Sequence, residues 1–145
     1  IKIGDRQFRI HHFGSTHTDN DILIEVVEDK VLFVGDIVRV KALDIRRGSF
    51  KANIAAIEKV LSLPVKIFVP GHGSAGGREI LDTYNGFLQK LYATVQKLYK
   101  LGISDSEMKP KVIEALKEYR NWADFDTLIG RHVSQAYLEV EKELF

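Results

Sequence analysis

Residues 31–36 read VLFVGD, an apolar and β-rich run that ends in a glycine and an aspartate. An earlier run of the same kind, ILIEVV at residues 22–27, is separated from it only by a short polar turn, which predicts a β-hairpin. A helical pattern capped by Ser49 and ended by Pro64 then leads to VKIFV at residues 65–69. The segment therefore reads strand, helix, strand, and such a crossover makes its two strands parallel.

Side chains that can bind a metal adjoin the ends of these strands. His17 precedes the first strand of the hairpin, Asp36 follows the second, and His72 follows the strand at residues 65–69. An antiparallel hairpin brings the start of its first strand beside the end of its second, and parallel strands end at the same edge. Each loop taken singly is also typical of an ordinary turn. Their convergence predicts a metal site formed by His17, Asp36 and His72.

Three further residues are candidates for positions next to the metal, namely His12, Thr18 and Asp21. His12 follows another histidine, and adjacent strand residues face opposite sides, so the two cannot both point into one site. The alternative for His12 is a plain strand residue. Asp21 fits a capping residue or one that orients a metal ligand, with a turn residue as the alternative. His132, in the last helix, is expected to be structural or exposed.

The second half of the chain carries helical periodicity. A long helix is predicted to end near Gly102, and Ser104 with Glu107 forms a capping-box pattern that opens the next helix. Asp124 can cap a last helix. Aromatic residues spaced along these helices are typical of a packed core rather than of a cofactor site. We expect one domain in two parts, residues 1–76 with the strands and crossover helix and residues 77–145 with the helical layer.

The composition is that of an ordinary globular domain. The chain has 145 residues, 45% of them hydrophobic and 28% charged, with 21 basic and 20 acidic residues and a net charge of +1. This balance gives no basis for a nucleic-acid partner, and the local basic residues Arg39, Lys41, Arg46, Arg47 and Lys51 read as a solvated loop and helix end. No apolar run approaches the roughly 20 residues that span a bilayer, so we expect no membrane partner. There is no cysteine to form a disulfide, a thiolate ligand or a nucleophile.

Three motifs together resemble the metallo-β-lactamase superfamily. They are FGSTHT at residues 13–18, VLFVGD at 31–36 and VPGHG at 69–73, in the family's order and approximate spacing. The resemblance covers about residues 5–75, and the helical tail is similar to the glyoxalase-II-like and quinoprotein-relay-like branches. It implies an α/β fold, the C-terminal half of an αββα sandwich with a helical C-terminal tail. It also implies that His17 ligates one metal, Asp36 bridges two metals and His72 ligates the second.

The principal motif of that family, His-x-His-x-Asp-His, does not occur among the five histidines of this chain. The chain also starts at Ile1 rather than at a methionine, so we expect a fragment or processed product that lacks the N-terminal half. No residue is assigned a catalytic role, and the chain by itself is expected to be inactive. The missing N-terminal half or a homodimer partner is expected to complete the fold.

The resemblance implies that the parent protein is a hydrolase. Its metal-activated water would attack the thioester, ester or amide carbonyl of a small-molecule substrate. Zinc is the expected metal, and iron or manganese stays open because nitrogen and oxygen ligands suit all three. The alternative is a non-catalytic module of the same fold that serves a structural or dimerising role.

Overall fold

A computed structural model describes residues 1–42, 44–45 and 48–144, so Arg46 and Arg47 of the predicted basic loop lie outside the described residues. The elements alternate between strands and helices in the first half and are helical in the second. In chain order they are β1 (Lys2–Ile3), β2 (Arg6–His11), β3 (Leu23–Val26), β4 (Val31–Arg39), α1 (Phe50–Leu61), β5 (Ile67–His72), α2 (Arg78–Lys100), α3 (Asp105–Ala115), a 3₁₀ helix (Lys117–Tyr119) and α4 (Phe125–Leu144).

The five strands form one mixed sheet in which each strand pairs with its neighbours in sequence. β1 to β4 pair in antiparallel fashion, and β4 pairs with β5 in parallel. The predicted hairpin and the parallel crossover through α1 are therefore confirmed. The parallel pair at one side of the sheet is the part of the fold that positions the candidate site.

Two strand ends differ from the sequence prediction. β4 continues beyond Val34 to Arg39, and β5 extends through His72. The reason is an irregularity at Gly35, whose φ of 55° is in the left-handed region that glycine adopts without strain. The pairing with β5 shifts register on both sides of Gly35 and resumes where Arg39 faces His72. Asp36 therefore lies inside a bulged strand, and His72 ends its strand instead of following it.

Strand alternation and helix periodicity together build the core of the first half. The inner face of the sheet carries residues that are almost fully buried, including Leu23, Leu32, Val34 and Phe68. α1 begins where Ser49 Oγ accepts a hydrogen bond from the Ala52 N–H at 3.1 Å, which confirms the predicted cap. Its buried residues recur at helical spacing, namely Phe50, Asn53, Ala56, Ile57 and Val60.

The described residues divide into two compact units. The first is Ile1–Val40 with Ile45–Asn85 and holds the sheet and α1; the second is Lys41–Asp44 with Gly86–Phe145 and is helical. The predicted division at residue 76 stays a prediction. None of the helices in the described part of the chain is both long and apolar enough to cross a membrane.

The helical unit has its own core. Ser104 and Glu107 form the predicted capping box at the start of α3, and Ser134 Oγ of α4 donates to the Asp105 carboxylate at 2.9 Å. Phe87 and Trp122 pack against each other with ring centroids 5.0 Å apart and ring planes tilted by 39°, and both are buried. The aromatic residues of these helices therefore pack as a core, as predicted.

The close packing around Gly48 is tested by comparing an alanine substitution there with one at Gly130 in α4. A Cβ at Gly48 would overlap the backbone carbonyl of Thr16, whereas a Cβ at Gly130 in α4 would meet nothing within 4 Å. We expect Gly48→Ala to lower the free energy of unfolding in urea by about 1–3 kcal/mol. Gly130→Ala should raise it by about 0.5–1 kcal/mol, because alanine favours the helix. Equal stability of the two variants would contradict this packing.

Candidate metal site

Asp36 and His72 meet at the end of the parallel pair β4 and β5. Asp36 Oδ1 lies 3.3 Å from His72 Nε2 and 3.8 Å from Arg39 Nε. The Asp36 side chain is partly exposed, yet its Oδ1 atom is buried and accepts no hydrogen bond within the described structure. A buried carboxylate oxygen beside an imidazole nitrogen is half of a nitrogen–oxygen donor set for a divalent metal.

The backbone around this pair leaves no room for larger residues. A Cβ at Gly71 would overlap Asp36 Oδ1, and a Cβ at Gly73 would come within 2.6 Å of the Val40 side chain. The Val40 N–H donates to the His72 carbonyl at 3.2 Å, which fixes the last residue of β5 against β4. Gly71 in β5 and Gly73 just after it therefore allow the imidazole to lie beside the carboxylate.

The third predicted ligand, His17, is 5% exposed and belongs to a tightly hydrogen-bonded loop. Within the part of the chain that the structure describes, no group of three histidine, aspartate or glutamate side chains is arranged to hold a metal ion. Among the residues that the structure describes, Asp36 and His72 are thus brought together, and no third side chain completes a set with them. The role of His17 as a ligand stays a prediction.

Asp21 organises the loop that carries His17. Its carboxylate accepts hydrogen bonds from the Thr16 hydroxyl, from the Thr18 N–H at 2.7 Å and from the Thr18 hydroxyl at 2.7 Å. The backbone of His17 is a further donor to the same carboxylate. Burial alone would raise the pKa of Asp21, but these hydrogen bonds outweigh it and lower that pKa below its ordinary value. Asp21 and Thr18 therefore hold the loop around His17, whichever ligand role the imidazole has.

The two adjacent histidines have different partners. β2 ends at His11, so His12 lies just beyond the strand and is not the strand residue that the alternative prediction made it. His12 Nδ1 lies 2.8 Å from the Asp21 carbonyl oxygen, so His12 joins the same loop from outside. His11 Nε2 lies 2.7 Å from Glu25 Oε2. Neither is brought into a group with Asp36 and His72 in the described residues.

The cluster around Glu25 was not found from the sequence. Glu25 is 2% exposed and also accepts a hydrogen bond from Arg9 Nη1 at 3.0 Å. The available signal was a carboxylate at an inward position of the apolar run ILIEVV, next to Leu23 in the alternation. Since β2 and β3 are paired there, the cluster ties these strands together on the buried face. Arg39, which adjoins Asp36, likewise differs from its prediction: the sequence indicates a solvated basic loop, and the structure places Arg39 at the end of β4.

His132 is fully buried in α4 of the helical unit. Burial lowers its pKa to about 4, and the charge of Arg131 acts in the same direction. The charge of Asp44, which pairs with Arg131 at 2.8 Å, and a hydrogen bond with Gln135 offset part of this shift. His132 is therefore a neutral, buried histidine. Of the two alternatives predicted for it, structural or exposed, it is structural.

Comparisons with known proteins identify the fold. A family model described as the metallo-beta-lactamase superfamily matches residues 1–72. Among solved structures, a metallo-beta-lactamase from Pontibacter korlensis is 26% identical with a TM-score of 0.57, over 61% of this chain and 44% of its own. No curated protein matches the chain.

Two further solved structures share the fold at lower identity. VMB-1 at pH 5.5 is 24% identical with a TM-score of 0.52, over 56% of this chain and 40% of its own. The DIM-1 metallo-beta-lactamase exposed to ceftazidime is 21% identical with a TM-score of 0.50, over 59% and 45%. The chain thus spans less than half the length of each of these three proteins.

The role of Asp21 is tested by removing its carboxylate. We expect Asp21→Ala to lower the free energy of unfolding by about 2 kcal/mol, because several donors lose a charged acceptor. Asp19→Ala is the matched control, since Asp19 accepts from the Ser15 hydroxyl at an exposed position, and it should change stability by less than about 0.5 kcal/mol. Similar losses from both variants, measured by urea unfolding, would show that Asp21 does not organise the loop.

His132 makes stability depend on pH. In the unfolded chain its pKa returns to 6.5, so between pH 6.5 and about 4 the unfolded state binds a proton that the folded state excludes. The stabilisation is fully present above pH 6.5 and is lost as the pH falls towards 4, by up to about 3 kcal/mol. We expect His132→Gln to show a smaller fall in unfolding free energy across this window. Parallel pH profiles of the two proteins would contradict a buried neutral imidazole.

Proposed function

This chain belongs to the metallo-β-lactamase superfamily through residues 1–72, and we propose that it supplies part of the metal centre of a metal-dependent hydrolase. The substrate class is a small molecule with a thioester, ester or amide carbonyl. The metal is zinc, with iron or manganese as the alternatives that the same donors accept. The activity is that of a complete domain, of which this chain is the C-terminal half.

The proposal rests on the pair formed by Asp36 and His72. The Nε2 atom of His72 lies 3.3 Å from Asp36 Oδ1, which is buried and accepts no hydrogen bond in the described structure. A buried carboxylate oxygen without a hydrogen bond is unfavourable, and the Arg39 guanidinium, 3.8 Å from it, supplies charge but no hydrogen bond to this atom, so the oxygen can still accept a metal ion. Carboxylate oxygen and imidazole nitrogen are both common zinc ligands, so the donor chemistry fits the metal.

In this proposal Asp36 and His72 hold the metal, and His17 joins them as a third ligand once its loop adjusts. The Asp21 carboxylate holds the backbone of that loop and so limits the positions open to His17. A bound metal would lower the pKa of a water molecule and polarise the substrate carbonyl. The nearby Arg39 guanidinium, 3.8 Å from Asp36 Oδ1, adds positive charge at the edge of the site.

We further propose that a second polypeptide segment completes the centre. This chain offers three candidate ligands, and the His-x-His-x-Asp-His motif that the family places upstream is not part of this sequence. An N-terminal half-domain would provide those ligands and the walls of the substrate pocket. The chain by itself is accordingly expected to bind metal without measurable turnover.

One observation favours the second candidate function, a non-catalytic module of the same fold. The described residues contain no group of three side chains arranged for a metal. In this second candidate function the chain binds a partner and holds no metal. Such a module should take up no stoichiometric zinc and should gain no stability from it.

Zinc titration by calorimetry separates the two candidates. We expect the purified chain to bind about one zinc ion and to unfold at a higher temperature with zinc present. His72→Ala should abolish this binding, because it removes the donor nitrogen. Asp36→Asn should weaken it by at least about ten-fold, because it removes the negative charge of the carboxylate. Asp82→Asn is the matched control, since Asp82 is exposed in α2 and pairs with Arg78, and it should bind as the parent chain does.

The proposed function fails if the parent chain takes up no zinc, or if His72→Ala binds zinc as well as the parent does. His17→Ala addresses the third ligand separately. Weaker binding in that variant supports the three-residue site, and unchanged binding limits the site in this chain to Asp36 and His72.

A further inference from the structure

The charged group that adjoins Asp36 and His72 is a cation and not a further ligand. Arg39 Nε lies 3.8 Å from Asp36 Oδ1, the same buried oxygen that lies 3.3 Å from His72 Nε2. A guanidinium stays charged throughout the physiological pH range and has no lone pair with which to ligate a metal. One carboxylate oxygen is therefore shared by a side chain that can bind a metal and a side chain that repels one.

Strand pairing places Arg39 at this position. Arg39 is the last residue of β4, and its backbone faces His72 in the parallel register. Directly beyond it, the Val40 N–H donates to the His72 carbonyl at 3.2 Å. The Arg39 side chain is only 12% exposed. The entropic cost of holding a long side chain in one place, which weakens most surface ion pairs, is smaller for a side chain confined in this way.

Arg39 acts on this oxygen through its charge. At 3.8 Å the two atoms are too far apart for a hydrogen bond, and Asp36 Oδ1 accepts none from any described group. The guanidinium therefore offsets the negative charge of the carboxylate and leaves the lone pairs of Oδ1 open. A divalent ion that binds this oxygen must do so against the charge of Arg39.

The distances set the size of this repulsion. Because zinc–oxygen bonds are about 2.0–2.2 Å long and Asp36 Oδ1 is 3.8 Å from Arg39 Nε, a metal on this oxygen lies no more than about 6 Å from that nitrogen. At this separation a double and a single positive charge repel each other enough to change an equilibrium constant about ten-fold, even with the screening of bulk water. Added salt reduces the effect.

We propose that Arg39 is the counter-ion of Asp36 in the metal-free chain and that its charge lowers the affinity of this site for a divalent metal. Arg39 is neither a ligand nor a catalytic residue. The proposal rests on the proposed function, since it concerns the same two ligands. It adds that this chain holds a metal tightly only when further ligands offset the charge of Arg39.

Zinc calorimetry on charge variants tests the proposal. We expect Arg39→Gln to bind zinc about ten-fold more tightly than the parent at low ionic strength, and this difference should shrink as salt is added. Arg39→Met, which keeps the apolar stem without the charge, is a second neutral variant and should bind as Arg39→Gln does. Arg39→Lys keeps the charge and should bind within about two-fold of the parent.

Arg6→Gln is the matched control. It removes the same charge from an arginine that pairs with Asp29 at 3.0 Å, before the start of β4, so the strand separates it from Asp36. This variant should bind zinc as the parent does, and circular dichroism should show that each variant is folded. Equal zinc affinities of the parent and the folded neutral variants at position 39 overturn the proposal and leave the proposed function intact. An equal gain in Arg6→Gln also overturns it.

Urea unfolding with a chelator present needs no metal and tests the counter-ion separately. Arg39→Gln should lower the urea midpoint of the parent and should lower that of Asp36→Asn by less, because the carboxylate charge is already absent there. Equal losses in the two backgrounds overturn the proposal. Zinc binding by Arg39→Gln but not by the parent supports it. If neither binds zinc, the proposed function fails and the metal part of this proposal fails with it.

Discussion

The parallel pairing of β4 with β5 is the constraint on which the rest of the structure depends. It requires the crossover through α1, which in turn supplies the apolar residues that cover the inner face of the sheet. It also brings the end of β5 beside the bulge in β4, so a carboxylate and an imidazole far apart in sequence lie 3.3 Å apart. Gly35 and Gly71 make this approach possible, the first through its left-handed backbone and the second through its missing side chain.

Glu25 and Asp36, two carboxylates of the sheet, differ in how their buried oxygens are satisfied. On the inner face, even the buried carboxylate of Glu25 is compensated by Arg9 and His11. At the end of the parallel pair, the buried oxygen of Asp36 accepts no hydrogen bond within the described structure. A buried carboxylate oxygen without a hydrogen bond is the kind of local defect found at ligand sites.

Much of the fold could be predicted from the sequence because its signals are local. The hairpin, the crossover, the Ser49 cap and the capping box at Ser104 each depend on a few neighbouring residues, and each is confirmed. The end of β4 could not be predicted, because a glycine that bulges a strand and a glycine that ends one look alike in sequence. Local signals also could not place Glu25 among its partners or decide that His132 is buried.

The sequence predicts which strand ends adjoin the candidate site but not how the side chains there are arranged. Topology brings Asp36 and His72 to one edge, and their side chains do meet there. The position of His17 depends on a loop held by Asp21, and loop geometry is not determined by which edge of the sheet the loop adjoins. Arg39 went unrecognised as a neighbour of Asp36 because the extension of β4 that carries it was itself not predicted.

Anomalous scattering at the zinc edge, from crystals of the chain grown with zinc, tests the central claim most directly. A peak is expected between Asp36 Oδ1 and His72 Nε2, at about 2.0–2.2 Å from each atom. A peak elsewhere, or none at this position with zinc in excess, would contradict it.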